Sequence, residues 1–150
     1  MVIFIDADAC PVKNETYKVA ARYSIPVRVV ANSWMRTPLD GQVTLQVVEG
    51  DFDAADDWIA GHVGPGDIVI TGDILLAARC VEAGARVLGT RGREFTEAGI
   101  GEAVAMRALK DELRQMGEIR HGPPPMNRKA RSRFLSTLDQ IVNSILNENP

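Results

Sequence analysis

The sequence predicts an α/β fold: a three-layer parallel sheet of about five strands, in the order 3-2-1-4-5, with helices on both faces and a C-terminal helical segment. Three observations carry this. Short β-branched runs alternate with stretches of helical spacing over roughly the first ninety residues, the pattern of right-handed βαβ units. The runs at 2–5 and 68–70 are continuously apolar, and 27–31 is apolar except for Arg28, as strands buried on both faces are. The last third keeps only helical periodicity. A length of 150 residues suits one domain with one core. Residues 1–150 are therefore read as a single domain, with 101–150 a helical, Arg-rich extension of it.

The first strand covers residues 2–5 and runs into Asp6-Ala7-Asp8-Ala9-Cys10-Pro11. Pro11 stops it and is suited to open a helix at its first position. Residues 12–23 carry Tyr17, Val19, Ala20 and Ala21 near helical spacing. Residues 26–31 form the second strand, with Asn32-Ser33-Trp34 at its end. A loop with Pro38 and Asp40-Gly41 as turn residues leads to a third strand over 43–48. Asp53 is placed to cap the next helix, with Asp56 in its first turn. Ala54, Ala55, Trp58, Ile59 and Val63 give that helix a buried face, and Gly64-Pro65-Gly66 ends it. The fourth strand, 67–71, closes in Thr71-Gly72-Asp73. A helix over 74–83 follows, capped by Gly84, then a fifth strand over 86–89. Residues 102–116 read as helix, 117–127 as irregular around Pro123-Pro124-Pro125, and 134–146 as a last amphipathic helix.

Composition excludes several classes. At 45% hydrophobic and 25% charged, the chain resembles an ordinary soluble globule. No apolar run approaches the ~20 residues that span a bilayer, so no membrane partner is expected. The apolar start is too short and lacks the basic flank of a signal peptide, and a cytoplasmic location is expected. Cys10 and Cys80 are expected as free thiols, too few for a thiolate zinc site. Cys10 reads as a packing residue, and His62 and His121 as isolated. The net charge of −3 is unevenly spread. Residues 107–133 hold eight Lys/Arg against three Asp/Glu, whereas residues 1–106 hold nine against fifteen. An acidic body with a basic segment suits a metal site beside a phosphate-binding surface, though a solvated basic helix face fits equally.

The acids sit at informative places. Asp6 and Asp8 end one buried strand, and Asp73 follows another that neighbours it in the predicted order. Such carboxylates repel unless a cation neutralises them or one is protonated. Oxygen-only ligands favour Mg²⁺ or Mn²⁺ over zinc, and a hydrated divalent ion is the usual apparatus for turning water on a phosphodiester. The plain alternative is that Asp6 or Asp8 only caps the next helix. Asp53 reads as a cap and Asp57 as solvent-facing.

Ile5-Asp6-Ala7-Asp8-Ala9-Cys10-Pro11-Val12-Lys13 resembles the opening signature of the YaiI/YqxD family of uncharacterised bacterial proteins. Val30-Ala31-Asn32-Ser33, Asp53-Ala54-Ala55-Asp56, residues 66–74 around Thr71-Gly72-Asp73, and Gly122-Pro123 resemble its later blocks in order, with Arg91-Gly92 and Arg107 in place. The resemblance implies a PIN-like fold, a class rich in Mg²⁺-dependent ribonucleases. It implies Asp6, Asp56 and Asp73 as catalytic and metal-holding acids, with Asp8 as an additional one. Two positions depart from the family pattern: Leu75 stands where the family has Pro, and Ala130-Arg131 where it has Asp-Arg.

The leading expectation is a Mg²⁺- or Mn²⁺-dependent nuclease acting on RNA. Asn32, Ser33, Thr71, Arg91, Arg107, Arg128 and Arg131 are the expected substrate-binding residues, with Arg120, Lys129 and Arg133 as further phosphate contacts. Aromatic content of 5% offers few stacking platforms. The alternatives are a non-catalytic nucleic-acid or nucleotide binding module and, more remotely, a haloacid-dehalogenase-type phosphatase with Asp6 as nucleophile. Against the last, no Lys-bearing motif in the expected setting follows.

Overall fold

The central strands are apolar nearly throughout, and the two-residue period of a strand sends alternate side chains to opposite faces. The computed structural model describes residues 1–51, 53–117 and 125–148 and shows both faces covered. In chain order the elements are β1 (Ile3–Asp6), α1 (Lys13–Tyr23), β2 (Val27–Ala31), β3 (Val43–Val47), α2 (Ala54–His62), β4 (Ile68–Ile70), α3 (Ile74–Glu82), β5 (Arg86–Leu88), β6 (Glu94–Phe95), α4 (Glu97–Gln115) and α5 (Arg128–Glu148). The sheet runs β3-β2-β1-β4-β5-β6. The predicted five-strand order is observed, and those five strands are parallel.

Strand parity sorts the core into two layers. Ile3, Ile5, Val27, Val29, Ile68 and Ile70 pack with Val19 and Ala20 of α1 and with Phe134, Leu138, Ile141, Val142 and Ile145 of α5. Phe4, Val30, Val69 and Val87 face the other way, onto Ala55 and Ile59 of α2 and Leu76, Ala77 and Cys80 of α3. Each fully buried Ile, Leu or Phe contributes roughly 1.5–3 kcal/mol, so α5 is a structural wall of the sheet. The α4 helix lies against α3 and buries only Ala103 among its described residues.

Several boundaries differ from expectation. β1 ends at Asp6, and Ala7–Ala9 make one 3₁₀ turn. Pro11 lies in the following turn and does not open α1, which starts at Lys13. The Lys13 ammonium occupies that turn's carbonyls, donating to Ala7 O at 3.3 Å and Cys10 O at 2.9 Å. Asp53 is the N-cap residue of α2, but its side chain makes no capping bond. The α4 helix starts early, at Glu97, because the Thr96 hydroxyl accepts the Gly99 N–H at 3.1 Å. α5 starts at Arg128, where Asn127 Oδ1 accepts the Ala130 N–H at 2.8 Å. β6, unforeseen, pairs antiparallel with β5. The irregular stretch expected over 117–127 lies mostly outside the described residues, as do Arg120, His121 and Gly122-Pro123.

Candidate functional site

The chain builds outward from β1 to β3 on one side and from β4 to β6 on the other. The switch point therefore falls between β1 and β4, and in open α/β sheets ligands bind in the crevice beyond the strands' carboxyl ends at that point. Asp6 is the last residue of β1. Asp73 follows β4 and is the N-cap residue of α3. Parity aims the site. Asp6 is two residues beyond Phe4, and Thr71 two beyond Val69. Both Phe4 and Val69 face the α2/α3 layer, so Asp6 and Thr71 turn toward the N-termini of α2 and α3.

Thr71 ties the two strand ends together. Its fully buried hydroxyl donates to Asp6 Oδ2 at 2.8 Å and accepts the Asp73 N–H at 3.0 Å. Asp73 Oδ1 in turn accepts from the N–H of Leu75 at 2.9 Å and of Leu76 at 3.4 Å, capping α3. Proline at position 75 would remove the first of those donors, so Leu75 strengthens the cap. Asp56, in the first turn of α2, shares a side-chain hydrogen bond with Asp73.

Asp6 and Asp56 hold their protons more tightly than ordinary acids. Burial raises Asp6, the Thr71 hydroxyl opposes this, and the charges of Asp73 and Asp8 raise it further. Asp56 is pushed up to about 6, first by burial, then by the charges of Asp6, Asp73 and Asp53, and by the hydrogen bond with Asp73. Asp6, Asp56 and Asp73 therefore sense one another across three separate elements. Asp8 lies on the exposed side of the 3₁₀ turn, where its Oδ1 accepts the Asn32 N–H at 3.4 Å. It acts on Asp6 through its charge.

Among the described residues no three His, Cys, Asp or Glu side chains form a ready-made metal cage. The donor chemistry nonetheless fits a hydrated hard cation. All donors are oxygens, and Mg²⁺ keeps several waters while taking only one or two carboxylates directly. A cation also relieves the repulsion that raises these acids. Asp6, Asp56 and Asp73 are the residues that could hold it, with Asp8 beside them.

The expected substrate-binding residues divide. Asn32 and Ser33 are exposed where β2 ends. Arg91 is half-buried in the turn after β5. Arg107 pairs with Asp111 at 3.4 Å along α4. Arg131 is committed to structure, donating to Pro11 O at 2.7 Å and pairing with Glu15 at 3.1 Å. Arg128, with Lys129 and Arg133, is exposed at the start of α5. Ala130, at the position where the family pattern has Asp, is buried, and Asn127 supplies the helix cap there. Both cysteines are free and buried, and burial pushes the Cys80 thiol up to about 12. His62 stacks on Trp58 with ring centroids 3.8 Å apart.

A doubly wound α/β protein with three carboxylates and a bridging threonine at its switch point is the class that fold and site define. The chain belongs to the YaiI/YqxD family: the family described as "Uncharacterized BCR, YaiI/YqxD family" matches residues 4–144. A UPF0178 protein of Rhodospirillum centenum is 53% identical over 147 residues, covering 95% of this chain and 96% of its own. UPF0178 proteins of Caulobacter sp. (strain K31) and Rhodopseudomonas palustris (strain BisB18) are 54% and 50% identical, over 94% and 98% of this chain and 93% and 95% of theirs. No solved structure matches the chain with significance.

Proposed function

We propose that this protein is a divalent-metal-dependent nuclease that hydrolyses phosphodiester bonds in RNA. One observation carries the reading: Asp6, Asp56 and Asp73 come from β1, α2 and the N-cap of α3 to the switch point, where burial first, and then the charge of Asp73 on Asp6 and of Asp6 and Asp73 on Asp56, raise the proton affinity of Asp6 and Asp56. A cluster built so that its charges conflict suits a site where a cation and a phosphate meet. The resemblance of residues 55–84 to the PIN pattern, an acid in a helix, an apolar strand, then Thr-x-Asp and a helix, supports the same reading.

Asp6, Asp56 and Asp73 would hold Mg²⁺ or Mn²⁺, which when bound supplies an activated water and neutralises charge on the leaving oxygen. Thr71 orients Asp6 by donating to Oδ2, which leaves Oδ1 available. Asp73 has Oδ1 committed to the α3 cap. The exposed cations at the start of α5 would bind flanking phosphates.

The test is incubation of end-labelled single-stranded RNA with the protein and Mn²⁺ or Mg²⁺. Cleavage by the wild type, lost on chelation and reduced at least about a hundredfold in Asp6→Asn, is expected. Equal cleavage by wild type and Asp6→Asn sinks the assignment. Steeply salt-dependent binding without turnover would instead favour a binding module.

A further inference from the structure

Among the described residues, the loop after β2 presents the single Trp, Tyr or Phe side chain left largely in solvent. Trp34 is 75% exposed. Its neighbour Met35 packs against the α1/α5 core, and anchoring that residue turns Trp34 outward. The loop is held at both ends. The Asn32 N–H meets Asp8 Oδ1 at 3.4 Å. Gln42 Nε2 donates to Ala20 O and Ile25 O at 2.7 Å each, and Asp40 Oδ1 accepts the Gln42 N–H at 3.0 Å. Trp34 is thus an exposed indole on a pinned loop.

Its place is as informative as its exposure. Asp6 is paired in register with Val30 of the adjacent strand, four residues before Trp34. Backbone reach and strand spacing put Trp34 no more than about 20 Å from Asp6, within a few nucleotides of extended chain. Arg36, two residues along, is exposed and has no ion pair among the described residues. Trp58, the other tryptophan, is occupied by His62, Arg28 and Phe4.

We propose that Trp34 is the platform on which an unpaired base of the substrate stacks, with Arg36 on the adjoining phosphate. The chain thereby selects single strands over duplex. This rests on the nucleic-acid reading of the acid site. Bases inside a duplex already have both faces covered, so a protein aromatic can add only to an unpaired base. Stacking is also tolerant of sequence, because every base has a π face. Trp34 is accordingly a specificity-determining residue and takes no part in bond cleavage.

The test is fluorescence anisotropy with a fluorescein-labelled ten-nucleotide single-stranded RNA and its blunt duplex, in an Asp6→Asn background that holds the substrate uncut. Trp34→Ala is expected to weaken single-strand binding about tenfold or more. Trp34→Phe should stay within about threefold of the parent, since its ring still stacks. Duplex binding should not change. Equal single-strand binding by Trp34→Ala and the parent overturns the proposal, as does an equal loss for single strand and duplex. Leu39, fully exposed on the same loop, makes vesicles of phosphatidylserine a necessary comparison. Trp34-dependent binding to vesicles and not to RNA also overturns it. The two readings fail separately. Asp6-dependent cleavage indifferent to Trp34 removes the stacking and keeps the nuclease. Trp34-dependent single-strand binding without metal-dependent cleavage does the reverse. No binding by the parent removes both.

Discussion

Asp56 holds its proton up to about pH 6, against an ordinary value of 3.8. Between those limits the folded chain binds more protons at this site than the unfolded chain does. This contribution therefore makes stability rise as pH falls from about 7 toward 4, and fall again as pH climbs. Asp6, raised in the same direction, adds to it. Asp56→Asn removes the charge while keeping a donor for Asp73. It should raise Tm at pH 7.5, and its advantage over wild type should vanish near pH 4. A variant less stable than wild type at both pH values would contradict the electrostatic account. Thr71 makes the converse case. Thr71→Val keeps the shape but strips Asp6 Oδ2 and the Asp73 N–H of their shared partner, at a cost of about 1–3 kcal/mol by denaturant titration, whereas Thr71→Ser should retain most of the stability. Asp6 and Asp73 could be read from the chain because a buried apolar run ending in an acid is locally visible. The Thr71 bridge could not, because it depends on Asp6 and Thr71 sharing a face across two strands sixty-five residues apart in sequence.

At the scale of elements, the turn after β5 is fitted to α5. Gly92 has φ +89°, and a Cβ there would lie 2.9 Å from the backbone carbon of Arg133. Gly92→Ala should cost about 2–4 kcal/mol and lower Tm by roughly 5–15 °C. Gly61, exposed in α2 with open space within 4 Å of where a Cβ would stand, is the control: Gly61→Ala should stabilise by about 0.5–1 kcal/mol through helix propensity. Thermal melts of the two variants should move in opposite directions. The same elements show why some boundaries were hidden. Gly99 and Gly101 interrupt the helical signal at the start of α4, which begins after Thr96 on a hydroxyl cap. The first turn of α5 is cationic, against the helix dipole, and so reads as surface rather than helix. β6 has two residues, too few to leave a period. The long apolar runs, by contrast, were sufficient for the five-strand order, since buried parallel strands offer few alternatives.

Across the whole molecule, the proposed RNA binding would bring an acidic body up to a polyanion. The net charge is −3, and several cations of the basic segment are already spent: Arg107 and Arg114 on Asp111, Arg131 on Glu15. Arg128, Lys129 and Arg133 remain exposed at the start of α5 with no ion pair among the described residues. That helix end lies along the acid-bearing edge, because Arg131 reaches Pro11 O and Gly92 abuts Arg133. With Arg36, four cations are available to phosphates. If RNA binds there, log K should fall with log salt at a slope of about −3, some ~0.7 per phosphate neutralised on a single strand. Arg128→Ala and Arg133→Ala should each lower the slope's magnitude by about 0.7 without changing Tm. Arg131→Ala should do the opposite. It should leave the slope alone and lower Tm, since it removes the one ion-pair partner that Glu15 has among the described residues, where its Oε2 already has no hydrogen-bond partner. A slope unchanged by Arg128→Ala and Arg133→Ala together, with binding intact, would place the phosphate path elsewhere on the molecule.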